Sequence, residues 1–152
     1  MDHGSEPAVE LRAARPADLP RVFLWERLYM RTVEPANEAR WTEAIDRQLE
    51  LWISCLDRTL ILEAEGEACG SMMWMPSGTG AVLVGIHVAP EHRRRGFGGL
   101  LLDAFAGQAR EAGCDVLSLG VFVGNPAVHL YESRGYRPTG RDGDYLLFER
   151  PV

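Results

Sequence analysis

Residues 88–102 read VAPEHRRRGFGGLLL, and they join a predicted strand to a predicted helix through glycines and three consecutive arginines. Glycine lets backbone N–H groups converge without a Cβ in the way, and the start of a helix carries a partial positive charge. Together these features predict an anion site suited to a diphosphate. The simpler alternative is a glycine-rich turn flanked by solvated arginines. A P-loop and a dinucleotide fingerprint both fit poorly, because the Gly-Lys-Ser/Thr ending is absent and Leu101 replaces a third glycine.

The segments around this turn predict an α/β chain. Residues 81–88 are apolar on both faces, as a central strand is, and a helix at 98–111 and a strand at 116–123 follow. That order predicts a right-handed parallel βαβ unit. The remaining patterns predict strands at 8–12, 59–64, 68–75, 136–137 and 145–149, with helices at 16–29, 38–56 and 127–133.

Length and composition predict one globular domain, at 8–152, after a flexible tail at 1–7. The chain has 152 residues, of which 46% are hydrophobic and 25% charged. Its net charge of −6 lacks the basic surplus that nucleic acid or an anionic membrane surface attracts, so neither partner is expected. Without a signal peptide or an apolar run of membrane-spanning length, a cytoplasmic location is expected.

The composition also excludes several kinds of chemistry. All 16 basic residues are arginine, so no lysine can form a Schiff base or bind phosphate in a P-loop. The three cysteines, Cys55, Cys69 and Cys114, form no CxxC pair and lie near no suitable histidine. Neither a disulfide framework nor a metal site is therefore predicted.

Two motifs carry a resemblance to a known family. The turn at 93–98 fills every specified position of Gln/Arg-x-x-Gly-x-Gly/Ala, and residues 125–136 look like Asn…Ala…Leu-Tyr-Glu…Gly-Phe/Tyr. In this order, about thirty residues apart, they resemble the GCN5-related N-acetyltransferase (GNAT) superfamily over almost the whole chain. The resemblance implies a mixed sheet of about six to seven strands flanked by about four helices. Asn125 lies six residues before Tyr131, where seven is common, so either the loop is one residue shorter or Gly124 takes the asparagine place.

The resemblance also implies the cofactor and its site. Acetyl-CoA would be the acyl donor, its pantetheine arm bonded to the backbone of the last residues of the central strand and its pyrophosphate cradled by the amides of residues 94–99. The arginine side chains would reach the 3′-phosphate, and Tyr131 would protonate the departing thiolate. The residues so assigned to the cofactor are Ile86, His87, Val88, Arg93, Arg94, Arg95, Gly96, Phe97, Gly98, Gly99, Asn125 and Tyr131.

A proton acceptor for the attacking amine is harder to find. An alkyl amine of pKa about 10.4 is almost entirely protonated at pH 7, and neutralising it costs about 4.6 kcal/mol. Strand alternation predicts one aliphatic face made of residues 82, 84, 86 and 88, which offers no base. His87 is expected on the opposite face, where a core histidine is favoured over a catalytic one. Ser118, Glu34 and Glu43 remain open, and a chain of waters is favoured.

Charge is distributed unevenly along the chain, which bears on the acceptor. Residues 1–80 hold 14 acidic residues against 8 arginines, whereas residues 81–152 hold 8 of each. In the family the acceptor lies near the first helices, so a cationic small-molecule or peptidyl amine is compatible with this asymmetry, although an ordinary acidic surface explains it equally. The expected lining is Trp25, Tyr29, Glu34, Trp41 and the turn 142–144.

The function predicted on this basis is acyl-CoA-dependent N-acyl transfer, most simply of an acetyl group, by direct attack of a primary amine within a ternary complex. The alternative is a non-catalytic acyl-CoA-binding or regulatory module. Such a module needs no base, so the missing base is consistent with it. The strand at 145–149 offers an edge that pairs across two subunits in a homodimer, and the sequence leaves that assembly open.

Overall fold

The computed structural model describes residues 8–152, so the predicted tail at 1–7 lies outside the described residues. Five helices and seven strands are present in this part. The helices are α1 (Leu19–Val33), α2 (Glu38–Glu43), α3 (Ile45–Ser54), α4 (Phe97–Glu111) and α5 (Val128–Ser133). The strands are β1 (Val9–Ala13), β2 (Thr59–Ala64), β3 (Glu67–Ser77), β4 (Gly80–Val88), β5 (Val116–Phe122), β6 (Arg137–Asp142) and β7 (Tyr145–Pro151).

The strands form one mixed sheet in the order β1-β2-β3-β4-β5-β7-β6, which confirms the predicted fold class. Neighbours are antiparallel except β4 and β5, the parallel pair on either side of α4. The prediction that strand 145–149 has an edge free for a second subunit is wrong, because β7 has β5 on one side and β6 on the other. The β7 segment reads like an edge strand, but only the long-range pairing shows which strand is outermost.

The predicted helix at 38–56 is also wrong in detail, because Ala44 interrupts it. Ala44 has φ −97° and ψ 12°, outside the helical range, and separates α2 from α3. No glycine or proline marks the break, and the apolar spacing continues through it, so the sequence carries no signal of it. The last residues of the predicted helix form a separate 3₁₀ turn at Leu56–Arg58.

The core has two layers, one on each face of the sheet. Leu62 and Met72 pack under α4 with Phe105. Their neighbours in sequence, Ile61 and Met73, pack on the other face with the side chains of α1 and α3. This is the alternation expected of strands buried on both faces. No helix within residues 8–152 is long and apolar enough to cross a membrane.

A β-bulge changes the facing of β4 residues. Met73 lies opposite Gly85 and Trp74 opposite Leu83, which leaves Val84 as an extra residue. Beyond a bulge the alternation is reversed. Val84 therefore packs on the α1 side, whereas Ile86 and Val88 pack on the α4 side. The predicted single aliphatic face of residues 82, 84, 86 and 88 is wrong.

The sheet opens between β4 and β5. These strands pair only at Ala81 with Leu117 and at Val82 with Ser118, after which β5 continues beside β7 alone. Residues 83–88 of β4 consequently have no partner strand on the β5 side. Their backbone groups on this edge are available to an extended ligand, since unpaired strand edges accept an added strand.

Candidate active site

Two cavities meet where the sheet opens. The larger has a volume of about 680 Å³ and lies among α1, α2, β4, β5 and the β6–β7 turn. The smaller, of about 330 Å³, lies among α1, the end of β4 and α5, and reaches the start of α4. Five residues line both cavities: Tyr29, Ile86, His87, Asn125 and Tyr131. The arrangement suits two ligands that approach one shared point from different directions.

The glycine and arginine turn lies at the start of α4. Gly96 immediately precedes the helix with φ +78°, a backbone conformation that glycine adopts without steric cost. Arg94 has φ +65°, which is uncommon for a residue with a Cβ and is concentrated at functional sites. Arg93, Arg94 and Arg95 are all exposed, and within residues 8–152 their guanidinium groups form no ion pair. The start of α4 and these unpaired guanidinium groups together favour the binding of an anion.

The next two glycines have a packing role that the sequence did not reveal. A Cβ on Gly98 would lie 2.9 Å from Cδ2 of Leu130, and one on Gly99 would collide with the guanidinium of Arg134. Both neighbours belong to or follow α5, so the missing side chains let α4 and α5 approach closely. A glycine that serves an anion and a glycine that serves helix packing look identical in a sequence.

Tyr131 lies on α5 at the wall shared by the two cavities. Only 5% of the Tyr131 surface is exposed to solvent. Burial, with a smaller contribution from Tyr136, raises the pKa of Tyr131 to about 12. The phenol is therefore neutral at pH 7 and carries a proton that it can donate. This is the position in which the sequence predicts an acid, although its role remains a prediction.

Asn125, rather than Gly124, lines the cavities. Its side-chain Oδ1 accepts a hydrogen bond from the Ala127 backbone N–H at 2.9 Å, and its backbone N–H donates to the Phe122 carbonyl. These bonds hold the chain as it turns from β5 into α5. Asn125 lies in both cavity walls, whereas Gly124 lies in neither. The geometry thus favours the shorter loop among the two alternatives.

His87 pairs with a residue that the sequence reasoning missed. Its Nε2 lies 2.9 Å from Oε2 of Glu26 on α1, and the His87 and Glu26 side chains are 11% and 17% exposed. His87 faces α1, opposite Val88, as predicted, but it lines both cavities instead of serving only the core. A signal existed: Glu26 falls between Val22 and Met30 at four-residue steps, in the buried stripe of α1.

Glu34 is a buried carboxylate in the wall of the larger cavity, with 3% of its surface exposed. It accepts hydrogen bonds from Tyr29 Oη at 2.6 Å, from Asn37 Nδ2 at 3.1 Å and from Tyr145 Oη. Tyr145 begins β7, so this carboxylate ties α1 to the far side of the sheet. Burial and the bond to Glu34 raise the pKa of Tyr145 to about 12 and raise that of Tyr29 above its usual range.

The other predicted acceptor residues divide between the cavities. Trp41 and the turn 142–144 line the larger cavity, and Trp25 lines the smaller one. Glu43 is exposed and Ser118 donates a hydrogen bond to the Ala81 carbonyl, and neither residue lines either of the two cavities.

The larger cavity is acidic, since its carboxylates Glu26, Glu34, Asp142 and Asp144 face a single arginine, Arg40. No cluster of metal-ligating side chains occurs in the described part of the chain.

Comparison with known proteins agrees with this geometry. The profile of the acetyltransferase (GNAT) family matches residues 20–136. No curated protein matches the chain by sequence.

Solved structures resemble the fold closely at low sequence identity. PaiA N-acetyltransferase from Thermoplasma acidophilum, in complex with coenzyme A, is 17% identical with a TM-score of 0.81 over 95% of this chain and 99% of its own. Ribosomal-protein-alanine N-acetyltransferase from Brucella melitensis is 23% identical, with a TM-score of 0.66 over 94% of this chain and 99% of its own. N-acetylglutamate synthase from Neisseria gonorrhoeae, complexed with coenzyme A and N-acetyl-glutamate, is 18% identical, with a TM-score of 0.72 over 97% of this chain and 36% of its own.

Proposed function

Because the chain belongs to the acetyltransferase (GNAT) family, we propose that it transfers an acetyl group from acetyl-CoA to a primary amine by direct attack within a ternary complex. The observation that carries the proposal is the pair of cavities with a shared wall at the opening of the sheet. One cavity would hold the thioester arm and the other the amine, so that the reacting atoms meet beside Tyr131.

The donor occupies the smaller cavity in this proposal. The unpaired edge of residues 86–88 would bond the amide groups of pantetheine as an added strand would. The pyrophosphate would then reach the start of α4, where Arg93 also lines the cavity and the backbone is already turned at Gly96. Charge-assisted bonds from guanidinium groups to phosphate supply further affinity. The residues present therefore suit coenzyme A.

The acceptor occupies the larger cavity. Its four carboxylates favour a cationic amine, whether a small molecule or a peptide N-terminus. No thiol in residues 8–152 lines either cavity, so the described residues offer no cysteine there for an acyl-enzyme. Direct attack of the amine on the thioester carbonyl is the simpler course.

Calorimetric titration with acetyl-CoA, followed by thiol release over a panel of small and peptidic amines, tests the proposal. Gly96→Glu places a carboxylate at the proposed pyrophosphate site, and we expect it to abolish acetyl-CoA binding. Gly66→Glu is the matched control, because Gly66 has φ +79° and open space around its Cβ position, as Gly96 does, but lies in the β2–β3 turn. It should bind like the parent.

The outcomes separate the alternatives. Binding that Gly96→Glu abolishes, together with thiol release for at least one amine, supports transfer. Binding without release for any amine overturns transfer and leaves an acyl-CoA-binding module. Equal binding by Gly96→Glu and the parent removes the turn from the site and overturns the donor placement.

A further inference from the structure

The buried pair of Glu26 and His87 lies at the shared wall of the two cavities, where the amine would meet the thioester. We propose that His87 is the base that takes the proton from the acceptor amine and that Glu26 is the positioning residue that orients it. The inference rests on the proposed acetyl transfer. It assigns the proton acceptor that the sequence left to a chain of waters.

The pairing determines which imidazole nitrogen is free. Nε2 lies 2.9 Å from the Glu26 carboxylate, so the proton of the neutral ring resides on Nε2 and is donated to that oxygen. Nδ1 then keeps its lone pair, and it takes part in no hydrogen bond among residues 8–152. A carboxylate behind an imidazole also stabilises the imidazolium that forms when Nδ1 accepts a proton.

The bulge in β4 places this side chain where the reaction needs it. Because the alternation reverses at Val84, His87 faces α1 and the cavities while Ile86 and Val88 face the core under α4. Side chains stand roughly perpendicular to a sheet, whereas backbone bonds run within it. The unpaired edge of β4 would therefore serve the donor, while the His87 side chain, between Ile86 and Val88, serves the acceptor.

The proton balance closes with the groups at this site. The ammonium of the acceptor gives one proton to Nδ1, and its lone pair then forms the N–C bond to the thioester carbonyl. The C–S bond breaks as the tetrahedral species collapses, and the Tyr131 hydroxyl donates a hydrogen bond to the departing thiolate. The nitrogen sheds its second proton, which the thiolate takes up through solvent. His87 releases the first proton to solvent, so the products are amide, thiol and one proton.

Ionisable groups face His87 from several elements. Glu26 and Tyr29 reach it from α1, the Tyr29 ring lying 6.4 Å from the imidazole in an edge-on arrangement. Ser71, opposite it on β3, does not titrate. The remaining ionisable groups in the two cavity walls are Glu34, Arg40, Arg93, Tyr131, Asp142, Asp144 and Tyr145. Burial raises the pKa of Tyr131 and of Tyr145 to about 12 and also raises that of Tyr29.

The test compares ethylamine with 2,2,2-trifluoroethylamine, which has nearly the same shape but is far less basic and is largely neutral at pH 7. With acetyl-CoA as donor, we expect His87→Gln to lower kcat/KM for ethylamine about 10²- to 10³-fold, as loss of a general base does. Trifluoroethylamine needs no deprotonation before attack, so its kcat/KM should fall by roughly tenfold or less. His129→Gln, an exposed histidine on α5, is the matched control and should behave like the parent.

The pH profile gives a second readout that a structural role would not alter. For ethylamine, kcat/KM of the parent should rise with pH and level off once His87 is neutral, whereas His87→Gln should keep rising toward the pKa of the amine. Glu26→Gln should move the rising limb to lower pH, because the carboxylate no longer stabilises the imidazolium. Glu132→Gln, at an exposed glutamate of α5, should leave the limb in place.

Each result decides between the two claims. Selective loss with ethylamine, together with the lost plateau, supports the inference. Equal loss with both amines overturns it and leaves His87 a structural residue. Unchanged kinetics for His87→Gln also overturn it, while the transfer itself stands. Absence of turnover by the parent with both of these amines overturns the inference, and the wider amine panel then decides whether acetyl transfer survives.

Discussion

Replacing Tyr131 by phenylalanine removes one hydroxyl from the wall shared by the two cavities and leaves the ring in place. The neighbouring Tyr136 offers a matched control, since its ring lies 6.1 Å from that of Tyr131 and its hydroxyl lines neither cavity. Both variants delete one buried oxygen from the same small cluster. Only Tyr131→Phe should impair the transfer of the acetyl group.

The size of the effect follows from the raised pKa. Burial places the pKa of Tyr131 at about 12, roughly 3.5 units above the reference of about 8.5 for a thiol. At about 1.36 kcal/mol per unit, complete transfer of the proton to the thiolate is uphill by about 5 kcal/mol. The phenol therefore acts mainly as a hydrogen-bond donor to the developing thiolate. Bonds to a charged group contribute about 1.5–3 kcal/mol, which corresponds to a rate loss of about 10- to 150-fold.

The assay is the single-turnover rate of thiol release at saturating acetyl-CoA, which excludes product release from the measurement. We expect the loss in Tyr131→Phe with an unchanged Kd for acetyl-CoA, and no loss in Tyr136→Phe. A rate within twofold of the parent would refute the role of the hydroxyl. A loss beyond 10³-fold would refute the hydrogen-bond argument and favour full proton transfer.

Three further substitutions test the fold around the site. Gly107→Ala should stabilise the protein by about 0.5–1 kcal/mol, measured as a rise in Tm, because Gly107 lies inside α4 with open space at its Cβ position. Asp18→Asn should destabilise it at neutral pH, because hydrogen bonds from Arg12 lower the pKa of Asp18 in the folded protein. Because the folded pKa lies below the unfolded pKa of 3.8, the carboxylate stabilises the protein above the unfolded pKa. This stability is lost as the pH falls through the folded pKa, so the urea midpoints of variant and parent should converge in acid. Glu34→Gln should cost about 1–3 kcal/mol in urea unfolding, because an amide donor then faces donors such as the Tyr145 hydroxyl.

Local patterns in the sequence were enough to predict most of the elements, and a resemblance carried by two motifs pointed to the residues of the proposed donor site. Periods of two and of 3.6 residues identify strands and helices without knowledge of their partners. The turn at Arg93–Gly98 and the tyrosine at 131 likewise stand in contiguous motifs. The structure brings Ile86, His87, Asn125 and Tyr131 together at the wall that the two cavities share, as a common role in binding the cofactor would require.

The sequence named much of the lining of the larger cavity, but not the pairing of its side chains, because that pairing depends on register and on contacts between distant segments. The bulge at Val84 exists only relative to β3, and His87 beyond it meets Glu26, 61 residues earlier. Glu34 meets Tyr145 across 111 residues. The sequence by itself therefore determined which segments form strands and helices, and where the glycine and arginine turn and Tyr131 lie along the chain. Strand pairing in three dimensions decided which side chains face the cavities, because a one-residue change of register exchanges the two faces of a strand.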